Sequence, residues 1–175
     1  MEIGCDKNQS FSNISINKKI GVDPIDGGTH RMTSDKFFLN NHDKFDIIFI
    51  DGLHEYSQVM RDIKNSLNSL TDNGLILIHD CLPNNIWSQI TPRINLNWNG
   101  DVWKAIVECR TYENIDTYTC IADQGIGFIL PRKNKKKLIL KNNNFEKLRY
   151  KDYFLKHEKY MNLINHQMID ELIKS

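Results

Sequence analysis

The sequence is marked first by what it lacks. No charge of one sign dominates: 23 Lys and Arg against 22 Asp and Glu leave a formal net charge of +1 over 175 residues. The molecule as a whole therefore carries no strong field toward DNA, RNA or anionic lipid, and neither a nucleic-acid nor a membrane partner is expected. No apolar run approaches the ~18 residues that a membrane span needs. The start of the chain also lacks the basic stretch and apolar stretch of a secretory signal. The four cysteines, Cys5, Cys81, Cys109 and Cys120, form no C-x-x-C pair and share no metal-ligand spacing. Free buried thiols in a reducing compartment follow as the expectation, and with them a cytoplasmic location. Internal repeats are absent, and low complexity is confined to short Lys and Asn runs at 133–137 and 142–144. What remains is an ordinary globular composition, 40% hydrophobic and 26% charged, in a length that suits one core.

The order of elements is informative. Residues 1–4 are a short apolar start, followed by a polar turn and a helix from Phe11. Residues 19–23 (KIGVD) read as a strand ending at a carboxylate before Pro24, and Asp26-Gly27-Gly28 is turn chemistry. A brief strand at 29–33 leads to a helix capped by Ser34 or Asp35, with Phe37 and Phe38 facing inward. Phe45–Ile50 (FDIIFI) is a continuous β-branched and aromatic run, the pattern of a strand buried on both faces. Tyr56, Val59, Met60, Ile63, Leu67 and Leu70 then recur at helical spacing up to Asn73-Gly74. A second apolar strand, 75–78, ends at His79-Asp80, and right-handed crossover makes the two strands parallel. A long segment at 81–100 without periodicity precedes a helix at 101–110. Residues 117–122 and 127–130 form a closing pair around Asp123-Gln124-Gly125, read as antiparallel. The fold class is thus α/β: a Rossmann-like, doubly wound, mostly parallel sheet with an antiparallel closing strand and helices on both faces. The domain reading is 1–131 for this unit and 132–175 for a basic connector with a C-terminal helical extension.

In open parallel sheets, ligands bind at the carboxyl ends of the strands. Here four strand ends carry polar groups: residues 4–6, Asp23, Asp51 with His54, and His79-Asp80. Asp23 can accept both hydroxyls of a nucleoside ribose, or it can stabilise the turn before Pro24. On the first reading, Asp23→Ala weakens ligand binding at little cost to the fold. Asp51, His79 and Asp80 come from neighbouring strand ends and can hold a divalent ion. Carboxylates suit Mg²⁺ or Mn²⁺, and the imidazole pulls toward softer ions. Without a metal, His54 or His79 can take a proton from a substrate hydroxyl. The structural alternatives are that Asp51 caps the following helix and that His79 is a core residue. Trp87, Trp98 and Trp103 can wall a ring-binding site or anchor the long loop. The basic run at 132–137 lacks interleaved aromatics and reads as a solvated connector.

Several segments carry a family resemblance: EIGCDKNQSF, IGVDP, THRMTSDKFF, FDIIFIDGLHEYSQVMRDI, LILIHDCLP and GDVWKAI. Together, from Glu2 to about Leu130, they resemble the small bacterial class I S-adenosylmethionine-dependent methyltransferases. More narrowly they resemble the subgroup found with surface-polysaccharide genes and related to macrocin-type sugar O-methyltransferases. IDGLHEY with the later His-Asp pair is the most specific part.

The resemblance implies S-adenosyl-L-methionine as cofactor, with Glu2 and Gly4 at its methionine part, Asp23 at the ribose, Ser34 and Asp35 beside adenine, and Asp51 near the methyl donor. In metal-using relatives the positions of Asp51, His79 and Asp80 hold Mg²⁺. Taken together with the residue reading above, which supplies His54, the expected catalytic set is Asp51, His54 and His79, acting on a sugar or other small hydroxylated molecule. Two departures stand out. The turn after the first strand, Gly4 to Gln9, has a single glycine, although Asp6 and Asn8 tolerate left-handed backbone. The helix that often precedes the first strand is also missing from this sequence. Its work then falls to the 81–100 loop, the C-terminal helices or a second subunit of a homo-oligomer. A non-catalytic binding or scaffold protein on the same fold is the alternative. A nucleic-acid methyltransferase would need a basic surface beside the cleft.

Overall fold

The computed structural model describes residues 1–174. In chain order the elements are β1 (Glu2–Ile3), α1 (Gln9–Asn13), β2 (Gly21–Asp23), β3 (His30–Arg31), α2 (Ser34–Leu39), β4 (Phe45–Ile50), α3 (Tyr56–Asn68) and β5 (Leu70–Ile78). Then come α4 (Val102–Cys109), β6 (Asp116–Cys120), β7 (Ile126–Leu130), α5 (Tyr150–Met161), β8 (Leu163–Ile164), a 3₁₀ turn (His166–Met168) and α6 (Ile169–Lys174). All eight strands form one sheet in the order β3-β2-β1-β4-β5-β7-β6-β8. Only β7 runs against its neighbours; every other pairing is parallel. The fold is therefore α/β, doubly wound and Rossmann-like, with an antiparallel closing strand.

The chain winds outward from β1 through β2 to β3, then returns to set β4 on the other side of β1. That reversal is the topological switch point, where a crevice opens at the carboxyl ends of the strands. One face of the sheet is an aliphatic layer. Ile48 lies opposite Ile76, Ile50 opposite Ile78, and Ile76 opposite Ile129, all fully buried. Phe37 of α2, Val59 and Ile63 of α3, and Trp103 and Ile106 of α4 close over that layer.

The opposite face is covered unevenly, so the expectation that β4 is buried on both faces needs correction. Phe11 of α1 packs at one side and Leu172 of α6, against Leu75, Tyr118 and Phe128, at the other. Between them Ile47 is 50% exposed. Two boundaries also differ from the sequence reading. Thr33 rather than Ser34 or Asp35 caps α2, its hydroxyl accepting from the Lys36 N–H at 3.3 Å. The helix of α3 ends at Asn68, and Leu70 pairs with Phe45 in β5 instead of extending it. The Phe45 N–H donates to the Ser69 carbonyl at 2.8 Å, so the sheet takes the chain one residue after the helix. A register irregularity between Phe45 and Ile47 accommodates the extra residues before Gly74.

Residues after 131 build on the same core. Leu138, Phe145, Tyr153, Tyr160 and Met161 join the buried cluster that contains the central strands. β8 adds to the sheet by pairing with β6, a strand the sequence reading did not anticipate. Buried Arg110 fastens this segment by donating to the carbonyls of Lys159, Tyr160 and Lys136.

Gly4, at φ +84°, is the tightest point of the switch. A Cβ there would overlap the Asp51 carbonyl oxygen. Gly4→Ala meets both a left-handed backbone and backbone overlap. It should lower the melting temperature by roughly 10 °C in a thermal unfolding experiment.

Candidate active site

A cleft of about 1200 Å³ opens at the switch point. Its wall includes Gly4 after β1, Asp23 at the end of β2, Ser34 and Asp35 at the start of α2, Asp51 and His54 after β4, and His79 and Asp80 after β5. Parallel strands deliver these residues to one edge because each ends there. Of the expected site residues only Glu2 is outside the wall. It is buried beneath the cleft, where one carboxylate oxygen accepts from the Ser10 hydroxyl at 2.5 Å and the other has no partner among the described residues.

The end of the cleft between β4 and β5 holds a dense cluster of carboxylates and imidazoles. Asp51 Oδ1 lies 3.3 Å from His54 Nε2 and 3.1 Å from His79 Nδ1. The other nitrogen of His54 sits 3.1 Å from Asp80 Oδ2 and 3.1 Å from the Trp98 carbonyl. His79 Nε2 lies 2.8 Å from Asp123 Oδ2. Asp51, His54 and Asp80 bring one potential ligand atom each to within 4.8 Å of one another. His79, the expected third ligand, is outside that group; its Nδ1 lies 3.1 Å from Asp51 Oδ1 and 3.5 Å from Asp80 Oδ2.

Neither structural alternative for these residues applies. Asp51 caps nothing: the first N–H of α3, at Tyr56, donates to Asp101 Oδ1 at 2.6 Å. His79 lines the cleft and is not a core residue.

With a carboxylate near both nitrogens, each imidazole favours its proton. His79 rises to about 9, chiefly through its bond to Asp51, with Asp123 and Asp80 adding to it against the opposing effect of burial. His54 also rises: burial works against its charge, but the bond to Asp51 and the charges of Asp80 and Asp51 prevail. Burial likewise disfavours ionised Asp51, yet its two histidine partners hold it below the usual carboxylate range. Asp80 is different. Burial lifts it above that range and the histidines only partly offset this.

The long loop supplies the roof. Trp98 stacks on the His54 ring, with centroids 5.3 Å apart and planes 23° from parallel, and the Arg93 guanidinium lies over Trp98. Trp98 therefore walls the site, whereas Trp103 is fully buried in the core and Trp87 is exposed. Asn99 at the end of the loop donates to Asp80 Oδ1 at 2.9 Å and to Gln124 Oε1 at 3.2 Å. That bond holds a carboxylate whose own backbone is left-handed, at φ +60°.

At the other end, Asp23 is anchored within its own turns. Its carboxylate accepts from the backbone N–H groups of Asp6 at 3.0 Å, Ile25 at 2.7 Å and Asp26 at 2.9 Å. Burial works to raise its pKa, but these bonds outweigh it and the group lies below its ordinary value. Asp6 and Asn8 both adopt the left-handed backbone that the single-glycine turn requires, at φ 42° and 61°. Beside Ser34 and Asp35, the Gln58 amide donates to both and to Asp62, a buried carboxyl that desolvation pushes up to about 6.

Asp62, Gln58, Asn99 and Asp123 were missed by sequence reasoning. Asp62 and Gln58 look like routine positions of an amphipathic helix. Asp123 sits in a turn whose composition explains it without function, and its neighbour His79 lies 44 positions away.

Residues 13–81 match a family model described as a methyltransferase domain. This is less than half of the chain, but it spans Asp23, Ser34, Asp35, Asp51, His54, His79 and Asp80. No curated protein matches the chain. The match supports a methyltransferase family, a family that in general uses S-adenosylmethionine.

Two measurements check these electrostatics. The His79 imidazole should titrate near 9 by NMR, and Asp123→Asn should lower that midpoint; an unchanged midpoint would refute the Asp123 contact. Because the folded pKa is raised, the stability from this proton is complete below the unfolded value near 6.5 and is lost as pH rises through about 9. For Asp23 the earlier expectation of a structurally neutral Asp23→Ala is revised. Loss of three charge-assisted bonds should lower the melting temperature by roughly 5–10 °C at pH 7. That deficit should shrink in acid, as the wild-type carboxylate is itself protonated below its depressed pKa.

Proposed function

We propose that the chain is a class I S-adenosylmethionine-dependent O-methyltransferase acting on a sugar or other small hydroxylated molecule. The observation that carries this reading is the continuity of one cleft inside and around the matched segment. At one end it has the Gly4, Asp23, Ser34 and Asp35 edge, and at the other the Asp51, His54, His79 and Asp80 cluster. Seven aspartates line it against one arginine and the two histidines, a balance that stays acidic and suits a cationic sulfonium. The volume leaves room for a nucleoside-sized cofactor together with a small acceptor.

The residues fit that cofactor with one adjustment. A carboxylate offers about four acceptor positions, and three N–H groups already occupy Asp23. Asp23 thus retains capacity for one ribose hydroxyl rather than two. Ser34, Asp35 and the Gln58 amide present polar atoms to the adenine end. Bound there, the cofactor supplies a methyl group on sulfur for in-line attack by an acceptor oxygen.

The protein's task is to orient the acceptor and take its proton. His79, raised to about 9, and His54, also raised, hold their protons more tightly than a free imidazole, and in this reading the carboxylates beside them accept the proton. Burial works to raise both carboxylates, but only Asp80 ends above its ordinary value, which makes it the stronger base of the two. His54 and His79 then hold Asp51 in place and offset its charge, and Trp98 covers the cluster from water. The cluster also fits a divalent ion: Asp51, His54 and Asp80 offer two oxygens and one nitrogen, a set that suits Mn²⁺ or a later transition ion better than Mg²⁺. Holding it would require His54 to release its proton.

Calorimetric titration with S-adenosylhomocysteine tests the reading first, and absence of binding up to millimolar ligand would refute it. With binding established, Asp80→Asn should leave ligand affinity within about threefold and lower turnover of a hydroxylated acceptor by about 100-fold or more.

A further inference from the structure

The near-neutral total conceals two oppositely charged parts. Residues 1–131 carry 11 Lys and Arg against 17 Asp and Glu, whereas residues 132–159 carry 11 against 3. Part of this basic segment packs on α4: the Tyr153 ring lies 5.1 Å from that of Trp103, and Lys104 donates to the Glu146 carbonyl at 2.8 Å. Tyr153, Tyr160 and Met161 of α5 point inward to the core. Lys133, Lys136, Lys141, Lys147, Lys151 and Lys159 are exposed, and no carboxylate lies within ion-pair distance of any of them among the described residues.

The same segment exposes large apolar side chains. Phe154 and Leu155 on α5 are 64% and 65% exposed, and Ile139 in the segment before it is 84% exposed. The patch continues onto the neighbouring loop. The Tyr150 ring lies 6.2 Å from that of Phe154, and its hydroxyl donates to the Pro83 carbonyl at 3.4 Å. A groove of about 470 Å³ runs between the loop and the start of α5, lined by Ile86, Ile90, Leu148 and Tyr150, with Arg149 and Lys151 at its rim. Beside it Ile86 and Trp87 are half exposed or more.

We propose that this basic and apolar face binds an anionic lipid surface, with the lysines facing the headgroups and Phe154, Leu155 and Trp87 entering the interface. Charge complementarity selects an anionic partner, and the residue types select lipid over nucleic acid. Nine of the eleven basic residues in 132–159 are lysines. Of the two arginines, which would supply the bidentate fork that phosphodiesters reward, Arg132 is paired with buried Asp116, and exposed Arg149 meets Asp152 through its Nε alone. Aliphatic and aromatic groups gain from entering a bilayer interface, and each nearby lysine adds attraction to an anionic leaflet. The acidic remainder of the chain would be repelled by that leaflet, which fixes the orientation. The loop that borders this face also roofs the cleft. The proposal is independent of the chemistry assigned to the cleft.

Vesicle co-sedimentation of the full chain tests it, with about 30% phosphatidylglycerol in phosphatidylcholine against pure phosphatidylcholine at about 0.1 M salt. The bound fraction should be at least about tenfold higher on the anionic vesicles and should collapse at about 0.5 M salt. Phe154→Ser with Leu155→Ser should reduce binding at least about fivefold, and Lys141→Gln, Lys147→Gln, Lys151→Gln and Lys159→Gln together at least about tenfold. No binding, or equal binding to neutral vesicles, would overturn the proposal. So would sensitivity to the lysine changes with none to the Phe154 and Leu155 changes, the pattern of a site for soluble polyanions.

Discussion

The structure depends on the close approach of two backbones at the junction of β1 and β4. Gly4 turns away there with a left-handed φ, directly against the Asp51 carbonyl. The two parallel strands can end side by side only because no side chain intervenes. Everything polar in the cleft is arranged from that junction. β1 and β2 carry Gly4 and Asp23 to one side of it, and β4 and β5 carry the aspartates and imidazoles to the other. A chain that is apolar along its strands and charged at their tips is thereby converted into a single acidic crevice.

Inside the crevice, charge is shared rather than isolated. Asp51 is contacted by two imidazoles, each of which is held at its far side by another carboxylate. A buried aspartate without such partners would be neutral or would destabilise the fold. The network keeps Asp51 ionised while leaving Asp80, whose side chain is less exposed and less fully offset, as the softer proton acceptor. Different acid strengths at adjacent strand ends thus come from surroundings rather than from residue type.

Much of this was legible in the sequence because the signals were local. The apolar run of β4, the Asp-Gly that ends it and the His-Asp after β5 each fix their own position, and parallel pairing puts them on one edge. The uneven cover of the second sheet face was not legible, since a continuous apolar run does not say which side lacks a helix. Nor was the end of α3, where a cross-strand bond at Ser69 overrides helical spacing at Leu70. In the site, Asp23 could be placed but not its workload, because its three donors lie in two separate turns. Asn99 and Asp123 were invisible because their partners are distant in sequence and their own surroundings are those of unremarkable loops.

The antiparallel closing strand has a further consequence. By slotting β7 between β5 and β6, the chain turns back at the same end of the sheet as the crevice, which delivers Asp123 and Gln124 to a cluster begun at Asp51. The centre is therefore finished by residues made long after it is started, and β8, later still, secures the strand that leads into that turn. A segment ending at Asp80 lacks both Asp123, the third carboxylate, and Asn99, whose amide holds Asp80. The cluster is in this way complete only once the chain has passed through the turn between β6 and β7.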